Sequence, residues 1–287
     1  MKILFLVYHG FSEHSGISKK IHYQVKGLRE NGHDVRLCYY GFAENGHRCR
    51  YIDNDVIKDY GTDAWAGIRQ RMDYGCVLDY CISEGIQFVY ARCFMNANPW
   101  LICFFKKLRK AGIHAVTEIP TYPYDEEFKN ADWRVRLGLR IDQLFRNQLA
   151  QQMDALVTFS DAERIFGQRT IRISNGVDFD SIPLHQSSAI SHQPSALHLI
   201  GVAEVHDWHG FDRVMTGLGE YYGRLKMKDE GLKKIDVFFH VVGGVHPHRM
   251  NNIFLPIINR YGLQDKIIFH GQLFGDVLTN LWQTGTD

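Results

Sequence analysis

Apolar residues fill positions 3 to 8, ILFLVY, without alternation, the pattern of a strand covered on both faces of a parallel sheet. A polar loop with glycines at 10 and 16 follows. Ile17, Ile21, Val25 and Leu28 then recur at helical spacing until Asn31-Gly32 stops the run, and Val35, Leu37 and Tyr39 alternate as the next strand. This succession predicts a right-handed parallel crossover. No chemistry attaches to the polar, irregular stretch from Tyr40 to Tyr60. After it the rhythm returns, with a helix over 64–84 ending at Gly85, a strand over 87–91, a helix over 99–110 and a strand over 113–119. A long helix over 133–152, a strand over 155–159, a short helix capped by Ser160 and a strand over 170–174 complete the series.

The stretch IRISNGVDFDSIP, Ile171 to Pro183, turns at Asn175-Gly176, and residues 184–195 have the Ser, His and Gln content of a linker. The pattern then restarts with a strand over 197–202. A helix follows that carries Phe211, Val214, Met215, Leu218, Tyr222 and Leu225 on one face. A strand over 235–242 ends at Gly243-Gly244. Met250, Ile253, Phe254, Ile257 and Ile258 mark a helix, 266–270 a strand, and Val277, Leu278, Leu281 and Trp282 another helix. Two such runs predict an α/β fold of two Rossmann-like, doubly wound parallel-sheet domains, over 1–183 and 196–287, joined by the 184–195 linker. The second has three complete strands, and TGTD reads as the entry to another, so that domain is expected to be incomplete and the chain truncated at its C-terminus.

Composition narrows the class. The chain of 287 residues, 45% hydrophobic and 23% charged, can bury two cores and has no apolar run long enough to span a bilayer. MKILFLVYHG lacks a small-residue cleavage site and reads as a buried first strand rather than a signal peptide. A net charge of +1 argues against a dedicated nucleic-acid surface. The six cysteines lie in the first half without a CxxC pair, as free thiols in a reducing cytoplasm would. Among the fifteen histidines, neither His206 and His209 with Asp207 nor His240, His246 and His248 form a recognised metal-ligand spacing on a helix, so no metal is expected. FFKKLRK and WRVRLGLRIDQLFR mix cations with bulky apolar residues. Such faces can rest on an anionic membrane, but core on one side and solvated charge on the other is the reading favoured from sequence.

Several local segments share one resemblance. The first-strand loop with Ser15-Gly16, EIPTYPYDEEF, DALVTFSDAERIFG, ISNGVD, GVAEVHDWHGFDR, VVGG and KIIFHGQL resemble, in this order, segments of the retaining glycosyltransferases of family 4, which have the GT-B architecture. ISNGVD is the most specific of them. The resemblance implies transfer of a sugar, with retention, from a nucleotide-diphosphate sugar to a saccharide or lipid-linked acceptor. It implies no obligatory cofactor and a cytoplasmic enzyme, peripheral at the inner face of the membrane where the acceptor is lipid-linked. Donor contacts fall to Ser15, Gly16, Glu204, His209, Gly210, Gly243 and Gly271, and acceptor contacts to His14, Tyr122 and Tyr124. Glu118 would orient an acceptor hydroxyl or act as a base; a carboxylate capping the following turn or pairing with Lys or Arg is the competing reading.

Physical chemistry supports part of this. A diphosphate is bound by backbone N–H groups at a helix N-terminus, and Gly16 and Gly210 stand at two of these; the competing reading is that they merely make tight turns into helices. The sequence departs from the family where relatives carry Arg and Lys and this chain has Glu204 and His209; a carboxylate there needs a nearby cation, from His209 or Arg213. The family's acidic donor-sugar motif would lie beyond Asp287. A non-catalytic GT-B-like binding module and a nucleotide-sugar epimerase are the alternatives.

Overall fold

The structure, a computed structural model, describes residues 1–11, 16–92, 95–128, 131–176, 178, 180, 196–227, 235–273 and 277–278. The chain forms two compact units, Met1–Ser181 and Ile182–Asp287. The N-terminal unit begins with β1 (Lys2–Val7), α1 (Gly16–Glu30) and β2 (Asp34–Phe42). β1 is buried on both faces from Ile3 to Val7, as its unbroken apolar run requires. Next come β3 (Arg48–Ile52), β4 (Asp55–Asp59), α2 (Ala66–Met72), α3 (Gly75–Ser83), β5 (Phe88–Arg92), α4 (Pro99–Lys110) and β6 (His114–Ile119). A 3-10 turn (Asp125–Phe128), α5 (Trp133–Ala150), β7 (Ala155–Thr158), β8 (Arg164–Ile165) and β9 (Gln168–Arg172) complete it.

Its sheet has nine strands in the order β4-β3-β2-β1-β5-β6-β7-β9-β8, parallel from β2 through β9 and antiparallel at both margins. Ile21 and Val25 of α1 cover Ile3, Phe5, Val7, Val35 and Leu37 on one face. On the other, Leu101, Phe105 and Leu108 of α4 and Leu139 and Leu149 of α5 pack with Leu4, Leu6, Val89, Ala91 and Leu156. The strand order reverses direction between β1 and β5, so the carboxyl ends of these two strands form a topological switch point.

Three local expectations change. The stretch 40–60 is a β-hairpin added to β2, and its pattern reads as polar because β4 is an exposed edge strand and β3 buries an arginine, Arg50. Its side chain is fully buried, donating to the Tyr40 hydroxyl and to the carbonyls of Gln70 and Asp73, with the Tyr40 and Tyr74 rings against the guanidinium. The helix over 64–84 is two helices. Asp73 takes an extended ψ of 109°, and its carboxylate accepts from the Gly75 N–H to start α3. After Ser160 there is a hairpin rather than a helix, because Phe166 and Gly167 both take positive φ and close the turn between β8 and β9.

The C-terminal unit contains β10 (Ala196–Val202), a 3-10 turn (Asp207–His209), α6 (Phe211–Met227) and β11 (Asp236–Val242). A continuous helical stretch follows, made of α7 (Pro247–Arg249), a π turn (Met250–Phe254) and α8 (Leu255–Tyr261), and β12 (Ile267–Gly271) comes last. The three strands pair in parallel in the order β10-β11-β12. Val237, Phe239, Val241 and Ile267 pack on Phe211, Met215, Leu218, Phe254 and Ile258. The linker 184–195 and most of the helix expected from Val277 lie outside the described residues.

Candidate functional site

At the switch point, β5 ends in Arg92 and β6 carries Glu118 on the adjacent rung of the ladder. Glu118 is fully buried. Its Oε2 accepts from the Tyr90 hydroxyl at 2.7 Å and from Nε2 of Gln24 on α1 at 2.9 Å. Its Oε1 faces Arg92 Nε at 3.2 Å and Lys20 Nζ at 3.8 Å. One carboxylate therefore gathers two cations and two neutral donors from α1 and β5. This is the pairing reading of Glu118: a carboxylate without exposed surface, held against Lys20 and Arg92. Burial lowers the Lys20 pKa from the ordinary lysine value; Glu118 opposes that shift and Arg92 adds to it. Burial, and then the charge of Glu118, raise the Tyr90 phenol. Nη1 of Arg92 is buried and carries no hydrogen bond among the described residues.

Lys20 reaches from this hub to 3.8 Å above the ring of Phe159, at the carboxyl end of β7. Phe159 lines an open cleft of about 740 Å³ with Arg172, Ile173, Ser174 and Asn175, so the first half of the ISNGVD segment forms one wall. The segment is tied back to α1, where Lys26 Nζ donates to both carboxylate oxygens of Asp178 at 2.9 and 2.8 Å. Gly16 opens α1 at the same edge, exposed, with no atom of the described residues within 4 Å of where a Cβ would stand. His14 and Ser15 lie outside the described residues.

The loop EIPTYPYDEEF is held from beneath. Tyr124 is buried, and its hydroxyl donates to Asp142 of α5 at 2.6 Å. The other oxygen of Asp142 accepts from the Ala97 N–H at 3.0 Å, and Arg146 grips Asp125 with two bonds of 2.7 and 3.0 Å. The loops after β5 and β6 are thereby fastened to one helix. Burial raises the Asp142 pKa against the pull of its donors, while Arg146 holds Asp125 below the usual carboxylate range. Tyr124 has no open face for a sugar ring. Tyr122 is half-buried and packs edge-on against Phe166.

In the C-terminal unit, Glu204, His206, Trp208 and His209 are exposed after β10. His209 Nδ1 accepts from the His206 N–H at 3.0 Å, and the rings of His206 and Trp208 stack at 4.5 Å. Gly210 takes φ 68° ahead of α6, and the guanidinium of Arg213 folds over it, at 2.6 Å from an added Cβ. That puts a cation beside the first turn of α6. Gly243 has φ 131°, and a Cβ there would stand 1.8 Å from the Ala203 carbonyl oxygen. Its N–H donates to the carbonyl of Gly271 at 2.6 Å, so Gly243 and Gly271 join the ends of β11 and β12. Sequence reasoning missed Arg249, a buried cation paired with Asp207 and, at 3.3 Å, with Asp212. Its signal was a lone arginine in the first helical turn after VVGG.

Among the described residues no three histidine, cysteine or acidic side chains stand together as metal ligands. His240 instead lies between His198 and His270, linked to them at 2.9 and 2.8 Å across the three strands.

Compared by sequence, the chain matches no protein-family model and no curated protein. Compared by structure, it is similar to solved glycosyltransferases of the GT-B type. A lipopolysaccharide outer core galactosyltransferase, WaaB, in its apo form aligns with a TM-score of 0.51 at 13% identity, over 99% of this chain and 71% of that one. An alpha-glucosyltransferase in complex with UDP and a 13-mer DNA containing an HMU base aligns with a TM-score of 0.54 at 12% identity, over 99% of this chain and 70% of that one. At such identity the likeness is one of fold: two Rossmann-like parallel α/β units in the GT-B arrangement of strands and helices.

Proposed function

We propose that this protein is a glycosyltransferase that moves a sugar, with retention, from a nucleotide-diphosphate sugar to a saccharide or lipid-linked acceptor, in the manner of family 4. The observation that carries the reading is the likeness of almost the whole chain to solved glycosyltransferases, joined to the family-like segments at its strand ends. The C-terminal unit takes the donor. Backbone N–H groups at the start of α6 and the guanidinium of Arg213 meet the diphosphate, and the strand-end loops fixed by Gly243 and Gly271 shape the pocket. The N-terminal unit takes the acceptor at its carboxyl edge, where Glu118 holds Lys20 and Arg92 in place and Gly16 leaves the start of α1 open to a phosphate oxygen. The donor, not a resident cofactor, supplies the leaving group. The enzyme works in the cytoplasm.

One observation favours a second reading. Glu204 is an exposed carboxylate where the family presents cations, which suits a binding module without catalysis. A thermal-shift screen of nucleotides and nucleotide sugars separates the two, because a ligand that binds only the folded state raises its melting temperature. The transferase reading expects one nucleotide and its sugar conjugate to stabilise the protein, followed by product formation. A flat response to all of them would abandon it. Gly16→Trp is expected to abolish transfer while the melting temperature stays near that of the parent, since among the described residues no atom lies within 4 Å of a Cβ there.

A further inference from the structure

The cationic helix faces behave differently from one another. In α4 the bulky residues Leu101, Ile102, Phe104, Phe105 and Leu108 are buried and the lysines point outward, as the sequence predicts. In α5 the order is inverted over the first turns. Trp133, Leu137, Ile141 and Leu144 are 64%, 51%, 41% and 71% exposed. At α-helical spacing these four fall within an arc of about 80°. Leu139, Asp142, Leu149 and Ala150, the buried residues of α5, lie on the opposite side. Arg136 and Arg140 border the apolar stripe on one flank and Arg134 on the other, all exposed. The acid within α5 is Asp142, which is buried, and α4 has none; Asp132 stands at the α5 N-cap, accepting from the Arg134 N–H.

We propose that this stripe docks the protein on an anionic phospholipid surface, with the helix lying in the plane of the headgroups. Charge complementarity selects that occupant. An outward apolar ridge flanked by arginines, with no exposed acid along the helix, matches a layer of apolar chains beneath anionic phosphates. A protein partner would have to cover the same ridge and neutralise cations on both sides of it. No helix among the described residues is long and apolar enough to cross a membrane.

The placement also bears on the substrate. α5 follows β6 and precedes the parallel β7, so it starts at the carboxyl edge of the sheet, where the switch point opens. Gly138 and Ile141 wall a cavity of about 120 Å³ there with Tyr8, Asn96 and Asn98, from the loops after β1 and β5. Docking by the stripe brings this edge to the lipid surface. Resting on the glycosyltransferase reading, this makes the acceptor a lipid-linked one.

The test is co-sedimentation of the full chain with vesicles of equal parts phosphatidylglycerol and phosphatidylcholine, against phosphatidylcholine alone, at low and high salt. Binding to the anionic vesicles, weakened by salt, is expected. Replacing Arg134, Arg136 and Arg140 by Gln should weaken it by about fivefold per arginine. Leu137→Glu with Leu144→Glu should abolish it with the melting temperature unchanged, because both side chains are already in solvent. Equal recovery in both supernatants, or undiminished binding by the leucine variant, overturns the proposal. So does a dimer in analytical ultracentrifugation that this variant dissociates, since a second copy would then be the occupant. Nucleotide-sugar thermal shifts of the same variants should equal those of the parent protein, so a failure of membrane docking and a failure of the transferase reading give different results.

Discussion

Both sheets bury polar side chains, and they stabilise them by opposite means. In the N-terminal unit the buried group is a charge. Glu118 is surrounded by Lys20, Arg92, Tyr90 and Gln24, and the network ties α1 to the strand ends. Across the strands of the C-terminal unit, as distinct from the Arg249 ion pair on its helical side, the buried group is neutral. His240 is fully buried with an imidazole on either side, and the three rings run across β10, β11 and β12. A buried ion keeps its place only while its counter-ions are present; a buried imidazole keeps its place only while it stays uncharged. The N-terminal edge should therefore respond to the removal of a partner and be indifferent to mild acid, and the C-terminal sheet should do the reverse.

The largest expected effect breaks the charged side of the comparison. Glu118→Leu leaves Arg92, 8% exposed, without its carboxylate, and should cost about 4 kcal/mol in urea unfolding of the N-terminal unit. Lys20→Met leaves the Arg92 pair in place and should cost about 1 kcal/mol or less, because Lys20 is partly solvated. Equal losses from the two substitutions would mean that the hub is not organised around Glu118.

Next in size is a backbone effect at the other edge. Gly243→Ala combines a φ that L-residues avoid with a Cβ 1.8 Å from the Ala203 carbonyl oxygen, and should cost about 3 kcal/mol. Gly16→Ala meets no atom of the described residues within 4 Å and should stay within about 0.5 kcal/mol of the parent. Both glycines are donor-binding candidates by resemblance. Stability measurements of the pair separate the glycine that the fold requires from the one that leaves room for a ligand.

Local pattern carried most of the fold. β1, α1, α4 and β11 follow from runs and periodicities that each element holds within itself. What escaped depends on partners distant in sequence. Arg50 reads as solvated until Gln70 and Asp73 are brought over it, which hid β3, and β4 is an exposed edge strand with a polar sequence. Tyr124 reads as a loop aromatic until Asp142, 18 residues on, takes its hydroxyl. The α5 stripe has the spacing of a core face, and only the packing of Leu139 and Leu149 on the sheet shows that the other side of the helix is the buried one. For the site, Glu118 at a strand end was legible together with the kind of pairing it makes, but its partners were not, since Lys20 and Gln24 come from α1 and Arg92 from β5. Arg249 was not singled out at all, because Asp207 and Asp212 precede it by a whole strand.

The smallest effect vanishes at neutral pH and tests the neutral side of the comparison. Burial, followed by the neighbouring His270 and His198, lowers the pKa of His240 below its ordinary 6.5. The unfolded chain therefore takes up a proton at a pH where the folded sheet still refuses one. The contribution is fully present above the unfolded value and is lost as pH falls from there toward the folded value, below which the loss is constant. Hydrogen exchange, corrected for the intrinsic rate, should show amides of β10, β11 and β12 losing protection between pH 7.5 and 5.5, while those of β5 and β6 around Glu118 keep theirs. His240→Leu removes the titrating group and should flatten that slope, at some cost in protection at neutral pH. A slope that survives the substitution would assign the acid sensitivity to another group, and the contrast between a charged and a neutral buried network would then rest on the Glu118 side alone.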